Sequence, residues 1–465
     1  MKRSETVEKN RGSQPAHLES SNLFRALFLT LKKQRDELAM RTGLRIQLPI
    51  SFIGRNKEDW LNEAVGVQDL ADFQVILKDF PVVVDKNLEK RTNVLLPSLD
   101  PLVLFGGYIA MLNFLGRARE RGHKLRIILC DHCESGKEIK RIRNGIRNHP
   151  LIQNNLGSDL ELYFARHNDL PIPVGPDDTC MSYSWVTTYL AHSLSQKINQ
   201  KPIIYFIQEY EPIFYPNNSF RAIADGAYAL PHAAVFNSAT LANYFKDNSL
   251  GVFDRHGSGK YVSFEHVLSS IRKPTVESLS NRKTRKLLFY ARPESHAARN
   301  LFAVGILAIR EAISRGTFED GNWEFYGIGS ISFSQPIDLG NGHQMEILPR
   351  MSQEDYANTL GTFDLGMSLM YAPHPSVPPF EMAAAGMITV TTSYKSRSGQ
   401  DMVDLSSNFI ASHPDPQSIA DGLSVAIDRI PNYEERVRAA EFPRSHSWKA
   451  SFSDDFMAKF EQLIS

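Results

Sequence analysis

Three cysteines in 465 residues, Cys130, Cys133 and Cys180, are too few for a disulfide framework and suit a reducing compartment. Two of them form a C-x-x-C, but it closes an apolar strand-like run and no second pair completes a tetrahedral site. A structural role is therefore expected in place of metal or redox chemistry. An excess of charge is also missing, since 52 basic residues balance 52 acidic ones. No whole-molecule field gathers nucleic acid, and any anion must be caught by a local site. Long apolar runs are lacking too. Stretches such as Val94 to Pro97 and Ile127 to Cys130 are far too short to span a bilayer, and the opening "MKRSETVEKNRGSQ" has no apolar signal core. These absences predict a cytoplasmic chain.

What is present is length enough for two cores. Residues 1–20 mix both charges with almost no large apolar side chains, which predicts a mobile tail. From Asn22 to Thr42, Leu23, Leu27, Leu31 and Leu38 recur near helical spacing, with Lys32, Lys33 and Arg35 elsewhere on the cylinder. This amphipathic helix is expected to pack on the N-terminal domain. Peripheral contact with the inner face of a membrane, suited to an acceptor carried on lipid, stays open beside it.

From Asn93, short apolar runs alternate with longer helical stretches: "NVLLP", "KLRIILC", "DLELYFA", "PIIYFIQ" and "AAVFN" are the strand candidates. Such alternation argues for an α/β fold, a parallel sheet covered by helices. A less patterned stretch from His256 to Lys286 ends in "NRKTRK", and the rhythm restarts with "KLLFYAR", "NWEFYGIGS", "HQMEILP", "FDLGMSL" and "MITVTT". Two Rossmann-like domains are expected, 21–283 and 284–445, with ligands at the turns beyond the carboxyl ends of their strands.

The first turn of the second half, "FYARPESHAARN", puts Arg292 directly after a strand and Arg299 beside Asn300 before the following helix. Two guanidiniums there suit a diphosphate, since each can donate paired hydrogen bonds to its oxygens; solvated surface arginines are the plainer alternative. In "MSLMYAPHPSVPPFEMAAAGMITVTT", Pro378 and Pro379 mark a helix start whose free amides could meet an anion, with His374 and Ser376 just before it. Glu381 falls in the first turn. There it could accept hydrogen bonds from two vicinal ribose hydroxyls, or simply complement the helix dipole.

Gly327 and Gly329 in "YGIGS", the stretch "ILPRMSQEDYANTLGTFDLGMSL" and the segment "HPSVPPFEMAAAG" follow in order the C-terminal half of family 4 glycosyltransferases of GT-B fold, which the chain resembles. The "YFIQEYEP" and "YARP" segments bring it nearest to the WsaF-type rhamnosyltransferases, over roughly residues 93–460. The resemblance implies two domains facing a central cleft, a donor diphosphate near Arg292 and Arg299 with Asn300 and Gly327 among the donor-binding residues, and ribose hydroxyls near Glu381. Many family 4 members carry a glutamate eight residues before the position of Glu381; here that position is Pro373, and His374 and Ser376 are the substitutes for the donor-sugar contact.

In the first half, Gly106 and Gly107 stand between a strand and an amphipathic helix, where they permit close approach of a ligand or simply a tight connection. The matching loop of GT-B enzymes faces the cleft. The strand end "YFIQEYEP" holds Gln208, Glu209, Tyr210 and Glu211, which could bind sugar hydroxyls, stack a pyranose or supply a general base; a solvated polar loop is the alternative. Glu209 and Glu211 are the candidate catalytic carboxylates. Near the end, "FPRSHSWKASFSDDFMAKFEQLIS" resembles the GT-B segment that crosses back onto the first domain over 446–465, anchored by Trp448.

The expectation is transfer of a sugar, rhamnose first, from a nucleoside diphosphate donor to a surface polysaccharide or lipid-linked glycan. No cluster of metal-binding carboxylates is evident, so no metal or cofactor is expected and arginines would neutralise the leaving group. The rivals are a nucleotide-sugar epimerase and a noncatalytic nucleotide-sugar or glycan-binding protein.

Overall fold

The computed structural model describes residues 65–464, apart from 105, 132–134, 168–169, 320, 332, 375, 396 and 446. The polar tail, the amphipathic segment Asn22 to Thr42 and Cys133 fall outside the described residues.

The first domain is built on strands β1 (Val82–Val84), β2 (Thr92–Leu96), β3 (Leu125–Leu129), β4 (Glu161–Phe164), β5 (Ile172–Val174), β6 (Thr179–Ser182), β7 (Ile203–Ile207), β8 (His232–Asn237) and β9 (Tyr261–Phe264). A seven-stranded parallel sheet runs β4-β3-β2-β6-β7-β8-β9, and β1 pairs with β5 in a small parallel sheet beside it. Every residue of β2, β7 and β8 is buried, as helices on both faces of a parallel sheet require. The candidate runs in this half become β2, β3, β4, β7 and β8. Four strands lie outside those runs: β6, with the sequence TCMS, and β9, inside the stretch that looked unpatterned, carry too little apolar signal, and β1 and β5 are only three residues long.

Residues 265–284 then lead to the second domain, with β10 (Arg285–Tyr290), β11 (Trp323–Ile328), β12 (Ile337–Gly340), β13 (His343–Ile347), β14 (Leu365–Met367), β15 (Ile388–Thr392) and β16 (Phe409–Ser412). The order is β12-β13-β11-β10-β14-β15-β16, parallel except for the edge hairpin β12-β13. That hairpin turns at Asn341 and Gly342, whose φ values of 49° and 82° are the left-handed pair a tight hairpin needs. Helices Phe302–Ser314 and Pro416–Arg429 cover one face, packing Ile309, Ile419 and Leu423 onto Leu287, Phe289 and Val390.

The chain ends on the first domain. Phe452, Phe456, Met457 and Phe460 are buried in that domain's core, where Phe114 of helix Gly106–Glu120 meets three of these rings at centroid distances of 4.9–6.4 Å. Each such ring removed from water contributes on the order of 1.5–3 kcal/mol. Trp448 stacks on Phe452 at 5.6 Å and meets His266 edge-on at 4.9 Å. The two passages between domains touch each other where the Leu268 N–H donates to the Ser445 carbonyl at 3.4 Å. Segments after β7 in the first domain therefore come to face segments after β10, β14 and β15 in the second.

Candidate active site in the cleft

Strand β10 ends at Tyr290, and the chain turns through Arg292 into a 3-10 turn, Ser295–Asn300. The guanidinium of Arg292 is engaged on three sides: Nε donates to Glu294 Oε2 at 3.0 Å, Nη1 to the Tyr290 hydroxyl at 3.2 Å, and Nη2 lies 3.0 Å from His296 Nε2. Burial opposes the charge on Glu294, but the Ile331 N–H, Arg292 and the Ser330 hydroxyl outweigh it and hold the carboxyl down to about 2. Gly329, at φ +103°, makes this corner possible, since a methyl group there would sit 2.6 Å from the Tyr290 ring and 3.0 Å from Arg292 Cδ. Gly327, expected as a donor contact, lies inside β11 instead. A methyl there would meet Ile347 at 2.6 Å, so its smallness serves sheet packing.

Arg299 is less satisfied. Nη1 donates to the His296 carbonyl at 2.9 Å and the guanidinium carbon lies 4.7 Å from the Phe214 ring of the first domain, while Nε is buried without a hydrogen-bond partner. Burial lowers the stability of its charge and Glu209 restores part of it. Asn300 is buried with Nδ2 on the Ala297 carbonyl at 2.9 Å, and its Oδ1 is unpartnered.

Opposite stands Glu209, 7% exposed, whose Oε1 accepts the Tyr210 N–H at 3.0 Å and, across the cleft, the His374 N–H at 3.4 Å. Burial pushes its carboxyl up to about 7, against the pull of Arg299, of those two amides and of Arg397. Nδ1 of His374 accepts the Ser376 N–H at 3.1 Å, which leaves the ring proton on Nε2. Burial, with the nearby His266 ring and the cations Arg444, Arg397 and Arg299, pushes this imidazole down to about 3 and keeps it neutral. Ser376 holds φ +68°, a left-handed conformation unusual for a side-chain-bearing residue. A cleft lined by two arginines, a neutral imidazole and a carboxylate poised near neutrality can neutralise a leaving diphosphate and exchange a proton.

Arg397 escaped the sequence reading. It is 1% exposed and spans the loops after β14 and β15, donating Nη1 to the Thr392 carbonyl at 2.5 Å and Nη2 to those of Met370 and Ala372 at 2.8 and 3.3 Å. Burial lowers its ionisation to about 10 while Glu209 supports the charge. Its place after a strand end, in "TTSYKSRSG", is the same signal that singled out Arg292, but it lies outside any of the motifs that drew attention.

Two first-domain expectations need correction. Glu211 does not line the cleft as a base: its Oε2 accepts the Trp185 N–H at 2.5 Å and the Tyr205 hydroxyl at 3.1 Å, tying the start of helix Trp185–Ile198 to the sheet. Burial raises its carboxyl to about 7, against those two donors. Tyr210 offers no face to a sugar. Its ring is 7% exposed, packed 5.5–5.6 Å from Tyr228, Tyr244 and Phe245, with its hydroxyl on Asp225. Gln208 Oε1 accepts from Asn237 Nδ2 at 2.8 Å, and Gln208 Nε2 is buried and unpaired. A methyl at Gly107 would stand 2.5 Å from the Tyr183 hydroxyl and 3.3 Å from Gln208 Oε1, so its glycine is required by the protein's own packing. Gly106 presents its carbonyl to His266 Nε2 at 3.1 Å.

Glu381 lies in helix Pro378–Ala384 and is 5% exposed. One of its oxygens, Oε1, accepts both the N–H and the hydroxyl of Ser269, at 3.0 and 2.5 Å, from the linker between the domains. Cys130 and Cys180 are buried free thiols whose ionisation burial suppresses, which leaves them unreactive. Among the described residues, no group of three or more His, Cys, Asp or Glu side chains could hold a metal ion, and no helix is long and apolar enough to cross a membrane.

Residues 91–239 match the N-terminal domain of WsaF, and residues 285–424 match its C-terminal domain. The chain belongs to the WsaF family of GT-B glycosyltransferases. Solved structures repeat the two-domain architecture around this WsaF-family chain. TarM superposes with a TM-score of 0.54 at 8% identity, covering 82% of this chain and 100% of that one. The sucrose-phosphate synthase of Thermosynechococcus elongatus does so with a TM-score of 0.50 at 10% identity, covering 81% and 98%. At such identities the likeness concerns the fold alone. A curated relative, the O-antigen biosynthesis protein RfbC of Myxococcus xanthus, is 25% identical over 260 residues, which are 53% of this chain and 18% of that protein. The WsaF-family chain thus spans less than a fifth of that relative's length.

Proposed function

We propose that this chain transfers a deoxyhexose, rhamnose, from a nucleoside diphosphate sugar to a growing surface polysaccharide, without a divalent metal. The observation that carries the reading is the meeting of Arg299 and His374 from the second domain with Glu209 from the first, with Arg292 near Arg299, at the carboxyl ends of two sheets. Ligands of open parallel sheets bind outside those ends. Arg299 and Arg292 would neutralise the departing diphosphate, and Glu209 would take the proton of the incoming hydroxyl. Membership of the WsaF family and likeness to an O-antigen biosynthesis protein support polysaccharide as the product class. Rhamnose rests on the family resemblance. Calorimetric titration with a panel of nucleoside diphosphate sugars in excess EDTA tests the reading: one donor should bind and Arg299→Ala should weaken it. Binding of none, or binding only after a divalent cation is restored, would sink it.

A further inference from the structure

The linker is not a passive tether at Ser269. Both hydrogen-bond donors of this residue, its N–H and its hydroxyl, converge on one oxygen of Glu381. The carboxylate is nearly buried, and the hydroxyl of Tyr356 lies beside it: burial, then the charge and hydrogen bond of Glu381, push that tyrosine's ionisation well above its ordinary value. A glutamate with freely rotating χ angles would present either oxygen in many directions. Two donors fixed to one oxygen remove that freedom and leave Oε2 as the oxygen with a defined direction.

The donors come from outside the domain that bears the glutamate. Ser269 follows Leu268, which bonds to Ser445 on the return passage, and beside that contact lies a concavity of about 700 Å³ bordered by Leu268, Ser269, Ile271, Ala384, Phe442 and Arg444. The linker thus has space on one side and its bond to Glu381 on the other. Rotation of the domains about this linker must carry Ser269 with the second domain or break its two bonds.

We infer that Ser269 is a positioning residue for nucleotide recognition: it orients Glu381 toward the ribose of a bound nucleoside diphosphate and so links donor affinity to the hinge. The inference rests on the donor-site reading above. Ser269 itself touches no substrate. It acts through Glu381, so its effect vanishes once Glu381 is gone.

The test is calorimetric titration of the full chain with UDP, dTDP and GDP, comparing wild type, Ser269→Ala, Ser269→Thr, Glu381→Ala and the Ser269→Ala/Glu381→Ala double variant, each checked by thermal unfolding. Ser269→Ala should weaken the nucleotide that binds wild type roughly tenfold, the low end for a hydrogen bond to a charged group. Threonine, which keeps the hydroxyl, should restore it. The double variant should bind no more weakly than Glu381→Ala alone. Should alanine unfold the chain, Ser269→Gly removes the same hydroxyl and serves in its place. Wild-type binding that Ser269→Ala leaves unchanged, or a serine loss that adds fully to the glutamate loss, overturns the inference while the donor site stands. A wild-type chain that binds none of the three overturns the donor site as well, which distinguishes the two failures.

Discussion

Glu209 Oε1, at the end of β7 in the first domain, accepts the backbone N–H of His374, beyond β14 in the second, at 3.4 Å. A carboxylate of one domain is thus held against the loop after β14 of the other, with Arg299 and Arg397 as its charged neighbours. Its ionisation sets two pH dependences.

Transfer should rise with pH to a plateau, with a midpoint near 7, because the proposed base works deprotonated and burial holds its carboxyl at about 7. Glu209→Gln should lower kcat/KM about 100-fold or more and abolish that midpoint. Stability moves the other way. The folded value lies above the ordinary 4.5, so the folded state favours the protonated acid; the contribution is present below 4.5 and lost as pH rises toward 7. Melting temperatures at pH 5 and pH 8 should therefore differ less for Glu209→Gln than for wild type. A pH-rate profile unmoved by the substitution would remove Glu209 from catalysis.

Arg299→Ala should weaken donor binding about 10- to 100-fold, and Arg292→Ala less than tenfold. The reason is occupancy: Arg292 already spends its donors on Glu294, Tyr290 and His296, whereas Arg299 has a buried N–H with no partner to give up. Titration of both variants with one donor decides it, and the reverse order would mean that Arg292 abandons its neighbours on binding.

Glu211→Gln should cost stability and spare chemistry. The Trp185 amide and Tyr205 hydroxyl lose a charged acceptor, which is worth about 1–3 kcal/mol of unfolding free energy. Urea denaturation should show that loss while kcat at saturating donor stays within about twofold of wild type, a margin small against any loss expected of a catalytic base. A collapse of kcat in a folded variant would return Glu211 to the reaction.

Arg397→Ala removes three buried hydrogen bonds, leaving the Met370 carbonyl with only the Thr392 hydroxyl, so a loss of about 3 kcal/mol is expected. Lysine should not rescue it, since an ammonium cannot span carbonyls from two loops as the planar fork does. Circular dichroism melts of the three proteins measure this, and a lysine variant as stable as wild type would contradict it.

Periodicity made β2, β3, β7, β8, β10 and β15 readable, because strands buried on both faces must be apolar throughout. It failed for β6 and β9. TCMS is buried because β6 lies between β2 and β7, and YVSF is an edge strand paired with β8 alone and partly exposed, so in both the burial follows from the sheet order and not from the segment. The turn residues Arg292, Arg299, His374 and Glu209 were legible for a related reason: polar groups directly after apolar runs land at the carboxyl edge of a parallel sheet.

The sequence by itself determined the alternation of strand and helix, hence two α/β domains, and the set of polar side chains delivered to the sheet edges. Only the tertiary structure decided which of them meet. Neighbouring carboxylates in "QEYEP" part company because the 3-10 turn Glu211–Phe214 points one toward the cleft and the other under helix Trp185–Ile198. Ser269 and Glu381, 112 positions apart, come together because the linker passes the helix start of the second domain. Local pattern sets where a side chain stands on its own element; its partner is set by how elements pack, a long-range outcome that no short window of residues contains.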